Sequence, residues 1–136
     1  MQERKVAVCF LKFKNKILLV KRSRKVSTYP KLWGAISGSI EENEKPLERA
    51  KKEIEEETGL KKSDMKLLKK GKPFVYIDRN IKIKWIIHPF LFKIRTDKIK
   101  LDWEHENMEW IRPENLKRYK TVPKLNESLR RVLLRT

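Results

Sequence analysis

The stretch from Gly38 to Leu60, GSIEENEKPLERAKKEIEEETGL, constrains this chain more than any other. A glycine opens it, a polar loop follows, and a short helical pattern ends it. Pro46 suits the first turn of a helix, where a missing N–H costs little. Gly59 suits the C-terminal stop, where the backbone turns left-handed. The pattern predicts a helix from near Lys45 to Thr58. Each helical residue turns about 100°, so Glu53, Glu56 and Glu57 share one face. Leu47, Ala50 and Ile54 form an apolar stripe beside them, which must be buried against a partner layer.

Charge sharpens the picture. Residues 41–57 hold eight acids and four bases, in a chain whose formal net charge is +17. An acidic island in a basic field suits a cation site facing a polyphosphate or a nucleic acid. A Glu- and Lys-rich surface adapted to heat gives the same balance. Carboxylates at i, i+3 and i+4 repel one another unless something neutralises them. Arg49 and Lys52 do part of that. Hard cations such as Mg2+ or Mn2+ suit oxygen ligands and would do the rest. By spacing alone, a surface helix with ordinary ion pairs fits at least as well, and both readings stand at this level.

The flanking segments supply the partner layer. Around Val6, Val8 and Phe10 on one face, and Ala7, Cys9 and Leu11 on the other, residues 4–13 read as a central strand. Lys14-Asn15-Lys16 turns into a return strand at 17–20. Residues 21–32 read as a basic loop, and Trp33–Ser37 as a short extended piece. Long strands are expected at 65–77 and 81–95, with Pro73 and Pro89 at edges or bulges. A polar loop at 98–106, a short strand at 108–111, a helical turn from Pro113 to Tyr119 and a last helix at 124–134 complete the pattern. The fold class is α/β (α+β), a mixed sheet with helices packed against it. At 136 residues the chain reads as a single domain, 1–136. Cys9 is the only cysteine and sits in an apolar run, which predicts a buried inert thiol and no internal disulfide. With no long apolar run and no leader pattern, a cytoplasmic location without membrane contact is expected.

Residues 38–60 resemble the Nudix box, G-x5-E-x7-R-E-U-x-E-E-x-G-U, where U is a bulky aliphatic residue. Gly38, Glu44, Lys52, Glu53, Ile54, Glu56, Glu57, Gly59 and Leu60 occupy its fixed positions. Only Lys52 departs, standing where the family has arginine. The resemblance implies an α/β/α sandwich with a mixed central sheet across nearly all of the chain. It also implies metal-dependent hydrolysis of a nucleoside diphosphate linked to another moiety, with Mg2+ or Mn2+ as cofactor. Carried over by position, Glu53, Glu56 and Glu57 are implied metal ligands and catalytic groups, and the carbonyl of Ser37 a backbone ligand. In the family the box arginine clamps a neighbouring carboxylate. Lysine keeps the charge but loses the bidentate fork, and Arg49, one turn earlier, is placed to substitute. Where the family often has glycine, Asn43 is the side chain that best tolerates a left-handed backbone.

The segment Leu101–Trp110 resembles a loop of the branch that includes dinucleoside polyphosphate hydrolases and RNA 5′-pyrophosphohydrolases. Glu104 fits an extra metal-binding or base-like carboxylate there, with Glu106 as its competitor. His105 reads equally as a group orienting Glu104 or as a structural histidine. Arg22 matches a phosphate-contacting position, with Arg24 beside it. Tyr29 and Tyr76 are candidate base-stacking groups. Trp33 is expected to pack below the box, and Trp85 and Trp110 in the core.

The leading expectation is a Nudix pyrophosphohydrolase acting on a nucleotide or dinucleoside polyphosphate, as a monomer or homodimer. The basic remainder of the chain keeps an RNA 5′ end open as substrate. A rival from another class is a non-catalytic nucleic-acid or nucleotide-binding module that keeps the fold. Three box carboxylates without a metal would repel phosphate, which weighs against that rival.

Overall fold

A computed structural model describes residues 1–133. Strands β1 (Gln2–Phe13) and β2 (Lys16–Arg22) form a hairpin, followed by β3 (Trp33–Gly34) and β4 (Ile36–Ser39). Helix α1 (Pro46–Thr58) precedes β5 (Met65–Lys70), β6 (Phe74–Asp78), β7 (Ile83–Ile94) and β8 (His105–Ile111), and α2 (Leu125–Val132) comes last. A 3-10 turn spans Pro113–Arg118.

The eight strands form one mixed sheet with the path β3-β2-β1-β7-β5; β4 joins β1, β6 joins β7 and β8 joins β2. Strands β1 and β7 run parallel, from Gln2 opposite Ile83 to Lys12 opposite Lys93. Such a pair is apolar on both faces because a helix covers each. Ala7, Cys9 and Leu11 pack with Ala50 and Ile54 of α1. Phe10 packs on the other side with Leu125, Leu129 and Val132 of α2. The result is the expected α/β/α sandwich, with Cys9 buried as read.

One edge of β1 is divided between two neighbours. Lys12 pairs with Ile17 of β2, whereas Val6 to Cys9 pair with Ser39 to Ile36 of β4. The end of β2 and the whole of β4 are thereby brought to the same opening in the sheet.

Several boundaries differ from expectation. The strand expected at 65–77 is two strands, and the cause lies across the ladder. On β7, Phe90 pairs with Lys70 and Ile87 with Phe74, so His88 and Pro89 face Gly71, Lys72 and Pro73. Proline has no N–H to give the ladder, so the neighbour bulges at that point. The Gly71 N–H donates to the Pro89 carbonyl at 2.9 Å to close the gap. Strand β8 starts at His105 rather than 108, because β2 extends far enough to pair with it. The last helix is Leu125–Val132, and residue 134 of the expected span lies outside the described residues. Trp33 also departs from expectation. It stacks edge-on to Tyr119, ring centroids 5.4 Å apart, in the cluster under α2 rather than below α1. No helix among the described residues is long and apolar enough to cross a membrane.

Candidate active site

Helix α1 forms as its sequence dictates. Pro46 occupies its first turn and Gly59, at φ 76°, caps its end. Asn43 takes φ 64° in the loop before it, the left-handed conformation asparagine tolerates. Ala50 and Ile54 are buried against the sheet, which aims Glu53 and Glu57 along the sheet's open end. Gly38 makes that approach possible, since a Cβ there would overlap the Glu53 carboxyl group. Gly38→Ala is therefore expected to displace Glu53 and cut activity by roughly 10- to 100-fold, the usual range for a disturbed supporting position. Steady-state kinetics beside a thermal melt would separate that loss from unfolding.

Glu57 is 1% exposed, and neither of its carboxylate oxygens has a hydrogen-bond partner among the described residues. Its pKa is driven far above the usual carboxylate range, by burial first and by the adjacent Glu53 second. His105 Nε2 lies 3.4 Å from Glu57 Oε1, and its Nδ1 lies 3.3 Å from Asp102 Oδ1. Both are contacts at the long edge of polar interaction, and burial lowers the His105 pKa. His105 is thus a buried wedge between two acids, with Glu104 beside it pointing elsewhere.

Arg49 supplies what Lys52 lacks. Its Nε and Nη2 donate to the two carboxylate oxygens of Glu44 at 2.8 and 2.9 Å. Its Nη1 donates to Glu53 Oε1 at 3.1 Å. The guanidinium pulls the Glu44 pKa down to about 2. Lys52 reaches Glu44 Oε2 with a single contact of 3.3 Å.

The sheet opening, α1 and α2 enclose a cavity of about 310 Å³. Ser37, Glu53, Glu104 and Arg22 line it, and so do Tyr29 and Tyr76. Glu57 lies buried behind this wall. Glu56 is exposed and outside the lining, although its charge, with those of Asp102 and Glu53, adds to burial in raising the Glu104 pKa. Arg24 is exposed and outside the lining as well.

A bulge aims the second loop. Lys21 pairs with Asn107 and Arg22 with His105, which leaves Glu106 as the extra residue. Glu106 turns to Lys21 and Lys31, at 3.9 and 3.5 Å, while Glu104 faces the cavity. Of these two glutamates, Glu104 lines the cavity and Glu106 does not. Arg22 donates from Nε to the Thr28 carbonyl at 2.9 Å and from Nη2 to Thr28 Oγ1 at 3.2 Å. Burial lowers its pKa and the nearby Glu104 opposes that.

Tyr29 anchors the basic loop across the cavity. Its hydroxyl donates to Asp78 Oδ2 at 2.7 Å and accepts from Trp85 Nε1 at 3.0 Å. Burial and the Asp78 bond raise its pKa. Tyr29→Phe leaves two largely buried partners unsatisfied, and a loss of about 1–3 kcal/mol is expected by denaturant unfolding.

Trp85 is buried in the core as read, and it also lines the cavity with Arg4. The alternation of Ile83, Trp85 and Ile87 carried that signal, because all three share one face. Ser128 also lines the cavity from α2. Nothing in the local pattern distinguished it from any other serine on an amphipathic helix.

The donor set fits a hard divalent cation. Its ligands are all oxygen, and a buried carboxylate without a partner calls for one. Among the described residues no three acidic or histidine side chains already converge as a finished cage.

Comparison with known proteins agrees with this architecture. The family model for the NUDIX domain matches residues 1–133. The MutT protein from Methanosarcina mazei Go1 superposes with a TM-score of 0.78 at 21% identity, over 96% of this chain and 92% of that one. A C. elegans Ap4A hydrolase in a binary complex gives 0.70 at 19% identity, over 96% and 94%. These two show the fold. The m7GpppN-mRNA hydrolase NUDT17 of Xenopus laevis is 38% identical over 56 residues, 41% of this chain but only 19% of that protein's length. With the match spanning all described residues, the chain belongs to the Nudix family.

Proposed function

We propose that the chain hydrolyses a pyrophosphate bond in a nucleoside diphosphate linked to another moiety. The observation that carries this reading is the lining of one cavity. It joins Glu53 and Glu104 to Arg22 and to the aromatic rings of Tyr29, Tyr76 and Trp85. That is the outline of a nucleotide, with phosphates at the charged side and a base at the aromatic side.

The roles follow from position. Glu53, Glu56, Glu57 and the Ser37 carbonyl would hold Mg2+ or Mn2+, with Glu104 as a further oxygen ligand or base. The ion supplies positive charge against the bridging phosphates and acidity for water. Arg22, held by Thr28, binds a phosphate oxygen. Glu104, raised above an ordinary glutamate by burial, is suited to take a proton from water. Arg49 keeps Glu53 in place.

The substrate class is a nucleotide or dinucleoside polyphosphate. An RNA 5′ end draws support from the +17 charge and from the short match to an mRNA cap hydrolase. The test is a substrate panel, including 5′-triphosphorylated RNA, assayed for release of phosphate or mononucleotide with and without Mg2+ or Mn2+. Metal-dependent release that Glu53→Gln abolishes is expected. Salt-sensitive RNA retention with no turnover would instead favour a binding module.

A further inference from the structure

The register of the sheet sets a length scale inside the cavity. Ser39 of β4 pairs with Val6 of β1, which pairs with Ile87 of β7. Trp85 is two residues along, opposite Arg4 on one side and Tyr76 on the other. Strands lie about 4.8 Å apart, so the aromatic wall stands roughly 10 Å from β4 and its neighbour Glu53. That separation suits the distance from a nucleobase to its second phosphate.

Polar bookkeeping at the aromatic side leaves a surplus of one kind. The Asp78 carboxylate is 7% exposed and fully engaged, Oδ1 by the Asn80 N–H at 3.0 Å and Oδ2 by Tyr29. Trp85 Nε1 is engaged by the same tyrosine. Asp78 is outside the cavity lining, and its carboxylate is turned to these partners instead. Two groups remain. Arg4 lines the cavity, and its one hydrogen bond is a long, exposed 3.4 Å contact to Gln2. Ser128 is 2% exposed and lines the cavity from α2.

The rings are also already faced by cations. The Arg4 guanidinium lies 5.8 Å from the Trp85 ring, and the Lys124 ammonium 5.7 Å from the Tyr76 ring. A positively charged base would meet like charge at both.

A planar fork of donors asks for two acceptors side by side in one plane. The O6 and N7 atoms of a 6-oxopurine supply them. Adenine offers N7 beside an amino donor, and pyrimidines offer less stacking area. Methylation at N7 removes one acceptor and adds a positive charge. Resting on the nucleotide-hydrolase reading for the direction of the phosphates, we propose that Arg4 and Ser128 form a base-recognition subsite for an uncharged 6-oxopurine. Arg4 pairs with O6 and N7, the ring lies against the aromatic wall, and Ser128 closes the floor.

The test separates base recognition from catalysis. Binding of GMP, IMP, AMP, 7-deaza-GMP and 7-methyl-GMP is measured by calorimetry on the full chain without metal. GMP and IMP are expected to bind alike, and the other three about tenfold or more weaker, the usual discrimination of a bidentate base contact. Arg4→Lys keeps the charge but loses the fork, and is expected to erase the preference. Ser128→Ala is expected to weaken GMP several-fold with an unchanged melt. Equal binding of GMP and AMP overturns the subsite, as does a preference that survives in Arg4→Lys or tighter binding of 7-methyl-GMP. Hydrolysis without any monophosphate binding also overturns it. A GMP preference without hydrolysis of the corresponding triphosphate upholds the subsite and sinks the catalytic reading instead.

Discussion

Glu57→Gln is expected to lower metal-dependent kcat/KM by roughly 10³-fold or more. A carboxylate that helps hold the catalytic ion supports several kcal/mol of charge stabilisation, and each 1.36 kcal/mol is a factor of ten. The same change is expected to alter stability in the opposite sense. Glu57 is buried beside Glu53 and its pKa is far above the unfolded value of about 4.3. The folded chain therefore holds a proton that the unfolded chain releases. The stability linked to that proton is present at low pH and is lost as pH rises toward the folded value. Between about pH 5 and about pH 8 the cost is on the order of 1 kcal/mol per pH unit. In metal-free protein the Gln variant should thus gain on the wild type as pH rises, read as a widening difference in Tm. Mg2+ or Mn2+ should raise the wild-type Tm and leave the variant little changed. A flat difference between the two proteins across that range would remove Glu57 from the metal site.

Arg49→Ala is expected to cost roughly 10- to 100-fold in kcat/KM, the range for groups that orient a metal ligand. Its side chain is 15% exposed and bridges Glu44 and Glu53 with three hydrogen bonds. Lys52→Ala, which removes one 3.3 Å contact on an exposed side chain, should cost only a few-fold. The informative variant is the double change Arg49→Ala with Lys52→Arg. Restoring a fork at the usual box position should recover part of the loss. Mn2+ affinity, followed by the spectrum of the free ion, should fall in Arg49→Ala and rise again in the double variant. A purely structural arginine would shift the melt and leave the ion's affinity alone.

The elements that carry a strong period were legible in the sequence. The two-faced apolar strand at 4–13, the stripe of Leu47, Ala50 and Ile54, and the Pro46 and Gly59 boundaries are set by local chemistry. The break between β5 and β6 was not, because its cause, Pro89, acts across the ladder from another strand. The box residues were found by pattern, and the cavity places Ser37, Glu53, Glu104, Arg22, Tyr29 and Tyr76 around one space. Trp85, Arg4 and Ser128 were missed for a common reason. Each looks like an ordinary strand or helix residue until the sheet and α2 are folded over the same opening. Arg49 lay between, since its distance from Glu53 was readable but its fork onto Glu44 was not.

The parallel pairing of β1 with β7 has a consequence for how the molecule reaches this state. Strand β1 finds its main partner only when residues 83–94 have followed it in synthesis. Until then Ala7, Cys9 and Phe10 have a hairpin beside them and no finished layer over either face. Contacts so distant in sequence are slow to close, so refolding is expected in milliseconds to seconds rather than microseconds. The interval before β7 arrives is when the nascent chain is most exposed to association with its neighbours.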